Sequence, residues 1–187
     1  MDTFATIRRA KLLSNAAGSI ELAELLVDGE HPPPESARRL LRRALATLAE
    51  VPESEPADTQ CLLLEGEALR ALGEWQAALE PLQTAAAGGP ARVEAWLGLG
   101  WCLKRLGRLD DAITALERGR TVSPQQPILL YNLACYHSLA GNVSAAIENL
   151  TQAIALDARY RDLTGSERDF DPIRADPRFV AVTCVTV

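Results

Sequence analysis

The residues able to do chemistry are few and stand apart. There are two histidines, His31 and His137. His31 precedes Pro32-Pro33-Pro34, a run that cannot sit inside a helix. His137 lies in an apolar run, where a packing or groove-edge role is expected. Gly98-Leu99-Gly100 lacks the third glycine of a dinucleotide loop and does not follow a strand. Asp169-Phe170-Asp171 brings two carboxylates together without the further ligands of a calcium loop. Cys61, Cys102, Cys135 and Cys184 are far apart, with no C-x-x-C pair and no zinc spacing. They read as structural thiols, three of them on predicted helices as small hydrophobes among apolar neighbours. Asn142-Val143-Ser144 and Asn149-Leu150-Thr151 match the glycosylation acceptor, a frequent coincidence. No nucleophile, base or metal cluster stands in company. The expectation is a protein with no catalytic residue, no metal and no cofactor, and not an enzyme.

Bulk composition narrows the class further. Hydrophobic residues make up 48% of the 187 and charged residues 24%, the balance of a folded globular chain. The formal net charge of −6 argues against a nucleic-acid binder, which needs clustered Lys and Arg for phosphates. Arg38, Arg39, Arg42 and Arg43 are the local exception and read as a solvated helix face. Met1 to Leu13 lacks the apolar run of a signal peptide, and no stretch reaches the roughly 18 apolar residues of a membrane span. A cytoplasmic location is expected.

What positions the remaining side chains is a repeat. Gly73, Gly107 and Gly141 are each 34 residues apart, as are Ala78, Ala112 and Ala146, and Leu82, Leu116 and Leu150. Gly66, Gly100 and Ala134 keep the step, as do Leu62, Trp96 and Leu130. This period is that of a helix–turn–helix array. Each glycine is placed to end a first helix in the left-handed conformation. Gly66, Gly100 and Ala134 are expected opposite Ala78, Ala112 and Ala146, small residues on both sides letting the axes approach. Pro90 and Pro124 stop the second helices. Such units bury their faces only by stacking, so the core runs along the array.

Three units follow, at about 59–92, 93–126 and 127–160, so that 59–158 is the repeat region. Residues 1–58 form N-terminal helices, a degenerate repeat or cap. One long helix or two short ones cover 3–28, with Asp2 as cap, Gly18-Ser19 as a break and Asp28-Gly29 as stop. A second helix runs from about Glu35 to Glu50, with Leu40, Leu41, Ala44, Leu45 and Leu48 as its apolar face, before the acidic linker Pro52-Glu53-Ser54-Glu55-Pro56. Residues 159–187 form a C-terminal cap and tail, extended over Val182–Val187. Asp171-Pro172 and Asp176-Pro177 read as caps followed by first-turn prolines, and Phe170, Ile173 and Phe179 as the covering apolar face. Pro81 falls within a second helix, where it removes a backbone bond.

Trp96, Leu99, Gly100, Gly107, Ala112, Leu116 and Pro124 resemble the tetratricopeptide repeat pattern. Tyr131-Asn132-Leu133-Ala134-Cys135-Tyr136 and Asp169-Phe170-Asp171-Pro172-Ile173-Arg174 resemble the terminal repeat and cap of bacterial members. Glu65 departs from the pattern, standing where leucine is usual, which predicts a partly open first repeat. The resemblance implies an all-α, right-handed α-solenoid of stacked hairpins that binds a protein or peptide ligand in its concave groove. Carried onto this chain, the groove positions include Leu63, Glu67 and Arg70, then Leu97, Trp101, Lys104 and Arg105, then Tyr131, Asn132 and Cys135. The expected surface is an apolar and aromatic floor of Leu63, Leu97, Trp101 and Tyr131 with a basic edge of Arg70, Lys104 and Arg105. Aromatics beside arginine are the usual composition of a binding hot spot, and the edge predicts a peptide or helix with acidic flanks. The family's carboxylate clamp is not matched, because Leu63 and Glu67 stand where it needs Lys and Asn. The alternatives are a secretion-type chaperone, against which the 169–179 motif counts, and a protein that self-assembles into homo-oligomers. A filled groove, covered by the chain's own N-terminal helix or tail, is the further alternative.

Overall fold

The computed structural model describes residues 3–27, 31–52, 58–88 and 93–184. The expected cap at Asp2, the stop at Asp28-Gly29, linker residues 53–56, Pro90 and tail residues 185–187 lie outside them. All regular structure among the described residues is helical. The chain divides into two compact units, Met1–Leu106 and Gly107–Val187.

The first unit contains α1 (Thr3–Glu24), α2 (Glu35–Leu48), α3 (Thr59–Leu72), α4 (Trp75–Ala87) and α5 (Val93–Arg105). Each helix packs on the next, and α1 and α5 also touch α3. In α2 the period of 3.6 puts Ala37, Leu41, Ala44 and Leu48 on one buried stripe. Leu40 and Leu45 flank that stripe half-buried. Arg39, Arg42 and Arg43 are exposed, and Arg38 pairs with Glu35 at 3.1 Å, as a solvated face should. α1 runs unbroken through Gly18-Ser19, the Ser19 hydroxyl donating to the Asn15 carbonyl. Its Leu13, Ala16, Ile20 and Ala23 enter the core formed with α2 and α3.

Two ion pairs fix the direction of α1. Arg9 pairs with Asp58, which also caps α3 by accepting from the Gln60 and Cys61 amides. Glu24 pairs with Arg70 at 2.8 Å, near the other end of α3. Early residues of α1 therefore meet the start of α3 and late ones its end, so the two helices run parallel. This is the relation of first helices in successive hairpins, and α1 and α2 pack on α3 as such a hairpin would.

Gly73, Gly107 and Gly141 have φ of 82°, 74° and 74°, and no other described residue is left-handed. The Gly73 and Glu74 amides donate to the Arg70 and Leu69 carbonyls, closing the end of α3. α4 continues through Pro81, whose ring is buried. A Cβ at Gly66 would lie 2.5 Å from Leu82 Cγ, so Leu82 of α4 fills the space that the glycine leaves, and Ala78 of the same helix is fully buried.

The second unit contains α6 (Leu109–Val122), α7 (Pro127–Leu139), α8 (Val143–Leu156), α9 (Arg159–Leu163), a 3-10 turn (Arg168–Ile173) and α10 (Pro177–Thr183). α7 packs on α6 and α8, and the 3-10 turn folds back onto α7. α9 and α10 pack on α8 and on each other. Phe170, Ile173 and Phe179 are all buried, as expected of a covering face. Asp176 caps α10 by accepting from the Arg178 amide at 2.8 Å, with Pro177 at the first position. Asp171 does not cap: it lies inside the 3-10 turn, which Glu167 caps instead through the Asp169 amide. Arg174 pins the segment, donating to the Thr164 and Glu167 carbonyls at 3.0 and 2.7 Å. Val182 is helical, so the extended tail does not begin there.

Candidate protein-binding site

The groove residues of the first unit gather where α3 ends, α4 begins and α5 ends. Trp101 meets Trp75 edge to face, ring centroids 6.1 Å apart at 81°. The Arg105 guanidinium lies 4.6 Å from the Trp75 ring centre and 5.4 Å from that of Trp101. Arg70 approaches the Trp101 ring at 5.5 Å. Indole faces carry negative potential, so these cations are attracted to them. Beside the cluster opens a cavity of about 630 Å³, bounded also by Val27, Pro32, Pro33 and Leu72. That volume is within the range of sites that bury a small ligand.

The surroundings separate the two arginines. Arg70 donates from Nε to Glu67 at 2.7 Å and from Nη2 to Glu24 at 2.8 Å. Burial works against its charge, but Glu67 and Glu24 more than compensate and raise its pKa. Glu67 responds the other way: burial outweighs Arg70 and lifts its carboxyl above the usual range. A Cβ on Gly98 would lie 2.6 Å from Glu67 Oε1, so this carboxylate occupies the hole that the glycine leaves in α5. Glu67 thereby packs between α3 and α5 and remains half-buried. Arg105, by contrast, is exposed and approaches both indole rings. Leu97 and Lys104 are half-buried, while Leu63 is buried at 9% exposure and offers little surface. Glu65, where the pattern departs, is half-buried.

Tyr131, Asn132 and Cys135 belong to the second unit. Tyr131 was expected on an open floor, yet it is 6% exposed. Its ring packs on Tyr160 at 5.0 Å and on Phe170 at 5.6 Å, both from the C-terminal segment. Burial drives its phenol pKa upward. Cys135 is buried, and the Asn132 amide is turned to its own helix, donating to the Ile128 carbonyl at 2.8 Å. On this repeat Tyr160 and Phe170 of the C-terminal segment cover Tyr131. His137 is half-buried on α7, and burial lowers its pKa.

Trp75 was missed by sequence reasoning because the search was confined to first-helix positions. Its signal was its place directly after the Gly73-Glu74 turn. No cluster of three His, Cys, Asp or Glu among the described residues could hold a metal. Burial pushes the Cys102 thiol up to about 12, which makes it inert. Among the described residues no helix is long and apolar enough to cross a membrane.

Helices of thirteen or fourteen residues, paired in sequence and closed at left-handed glycines 34 apart, define a helical-hairpin repeat protein. The chain belongs to the tetratricopeptide repeat family: one profile of that description matches residues 63–127 and another residues 128–160, together just over half its length. Among solved structures it is similar to a MamA protein at 16% identity, covering 94% of this chain and 91% of that one with a TM-score of 0.60. A MamA fragment, 41 to the end, from Desulfovibrio magneticus RS-1 gives 22% identity, coverage of 90% and 93%, and a TM-score of 0.59. YrrB, described as a TPR protein with an unusual peptide-binding site, gives 22% identity, coverage of 71% and 66%, and a TM-score of 0.55. At these identities the likeness concerns the fold. No curated protein sequence matches the chain.

Proposed function

We propose that the protein is a non-catalytic interaction module that holds a peptide or helix of a partner on the first-helix surface of its repeats. The observation that carries this reading is the open cavity beside Trp75, Trp101 and Arg105. Aromatic and arginine side chains concentrate binding energy at interfaces: the rings bury large areas while losing little freedom, and the guanidinium makes several charge-assisted bonds. Leu97 extends the surface along α5, one turn before Trp101. Family membership favours binding over chemistry, and the peptide-binding site described for YrrB supports a peptide as ligand. Cys102 and Cys135 are buried as small hydrophobes, in keeping with a reducing, cytoplasmic setting. Burial of Tyr131 against Tyr160 and Phe170 favours the first unit as the binding surface.

The test is selection of a displayed random peptide library on the immobilised full-length chain. Peptides retained by the native protein and lost by Trp101→Ala are expected. No enrichment, or equal enrichment on both, would contradict the reading. Self-assembly is a second reading, favoured by the exposed Phe4 and Ile7 of α1 at 74% and 63%. A solution mass above one chain, reduced by Phe4→Ser with Ile7→Ser, would establish it.

A further inference from the structure

The cavity is asymmetric in charge, and the asymmetry specifies its ligand. Arg70 is committed to Glu67 and Glu24. Glu24, the carboxylate on the cavity wall, is thereby committed as well. Arg105 has no ion pair with a described carboxylate; the rings of Trp75 and Trp101 hold it instead. A guanidinium held over an indole face by its charge keeps N–H groups that can receive a carboxylate, on two bonds where the geometry allows. The two ring contacts also restrict the side chain in advance, so less freedom is lost on binding. A cationic ligand is disfavoured, because the indole faces are already covered by cations. Much of the remaining wall is apolar: Val27, Pro32, Pro33, Ala71 and Leu72, with His31 also on it.

The geometry points to an anchor site for an acidic peptide: a bulky apolar side chain of the partner enters between the Trp75–Trp101 pair and Pro32-Pro33, and an adjacent carboxylate pairs with Arg105. This rests on the interaction-module reading and adds which residue chemistry the module selects. It also moves the anchor from the middle of the first helices to their turn ends. The site differs from a clamp of Lys and Asn, neither of which lines it.

The test uses the full-length chain and peptides recovered from the displayed random library. Recovered sequences should share a bulky apolar residue next to Asp or Glu. One such peptide and its Glu→Gln (or Asp→Asn) version are then titrated against the native protein and Arg105→Gln, with tryptophan fluorescence as readout. Arg105 is exposed, so this variant should fold. Each single change should weaken binding about tenfold, and the two together no more than either alone, the signature of a direct pair. Trp75→Phe should weaken the peptide and leave the Arg105 coupling in place. If Arg105→Gln binds the acidic peptide as tightly as the native chain, or if the two changes add, the anchor site is wrong. Binding that still falls with Trp101→Ala would then leave the module reading standing. Recovery of basic or uncharged peptides would also overturn the anchor site alone, and recovery of none would overturn both.

Discussion

Arg105, the last residue of α5, lies 4.6 Å from the ring centre of Trp75, the first residue of α4. The contact joins the end of one repeat's first helix to the start of the preceding repeat's second helix. Period and spacing alone did not reveal it, because the two positions are not equivalent in the repeat. It gives the turn end of the first unit an ordered, positively charged aromatic corner. An isolated contact of this kind contributes about 0.5–1 kcal/mol at an exposed site. For the proposed anchor site, its larger consequence is a guanidinium whose freedom is restricted before a partner arrives.

The turn glycines are held by backbone and not by crowding. At Gly73 a Cβ would meet nothing within 4 Å, yet φ is +82°. Gly73→Val should therefore destabilise by about 1–3 kcal/mol, while Gly73→Asn, which tolerates that region, should cost much less. Urea unfolding followed by circular dichroism measures both.

Inside α5 the opposite holds. Gly98 is helical, but its Cβ would press on Glu67 Oε1 and lie 3.2 Å from Leu82 Cδ2. Gly98→Ala should cost about 1–3 kcal/mol by overpacking, despite alanine's better helix propensity. Gly18 has open space around it in α1. Gly18→Ala should stabilise by about 0.5–1 kcal/mol. The same unfolding measurement should give opposite signs for the two substitutions.

The C-terminal segment packs on α7 and α8. Phe170 is fully buried between Tyr131 and Phe179, with centroids at 5.6 and 5.2 Å. Phe170→Ala should cost about 3–5 kcal/mol. Truncation after Asp157 removes the whole cover and should lower the melting temperature and promote aggregation. An unchanged melting point in a monomeric truncated chain would show that the segment is dispensable.

Glu67 predicts a pH dependence. Burial holds its carboxyl above the reference value of 4.5, so the native state binds the proton more tightly than the unfolded chain. Its contribution is therefore fully present below about 4.5 and lost as pH rises through the raised native value. Glu67→Gln should flatten that part of the stability–pH curve, measured by urea midpoints across the acid range. An unchanged slope would show that Glu67 does not cause it.

The elements that the sequence made legible are those with a local backbone or periodic cause. Left-handed turns demand glycine, so Gly73, Gly107 and Gly141 were readable directly. The burial of Phe170, Ile173 and Phe179 followed from apolar spacing next to capping prolines. What was not legible depends on contacts distant in the chain. Tyr131 is covered by Tyr160 and Phe170, which share no period with it. Glu67 packs toward α5 because Gly98 leaves room for it, and Trp75 joins the candidate site only through Trp101 and Arg105. Of the candidate site, the Arg70, Trp101 and Arg105 cluster was anticipated, and its geometry was not.

The most direct test of the interaction module is calorimetric titration of a library-selected peptide into the native chain, Trp101→Ala and Arg118→Ala, with a thermal melt of each. Arg118 is an exposed residue of α6, on a second helix and so outside the proposed surface. The account predicts that Trp101→Ala remains folded and loses about 2 kcal/mol of binding free energy, while Arg118→Ala binds as the native chain does. Equal affinity in all three proteins would contradict it.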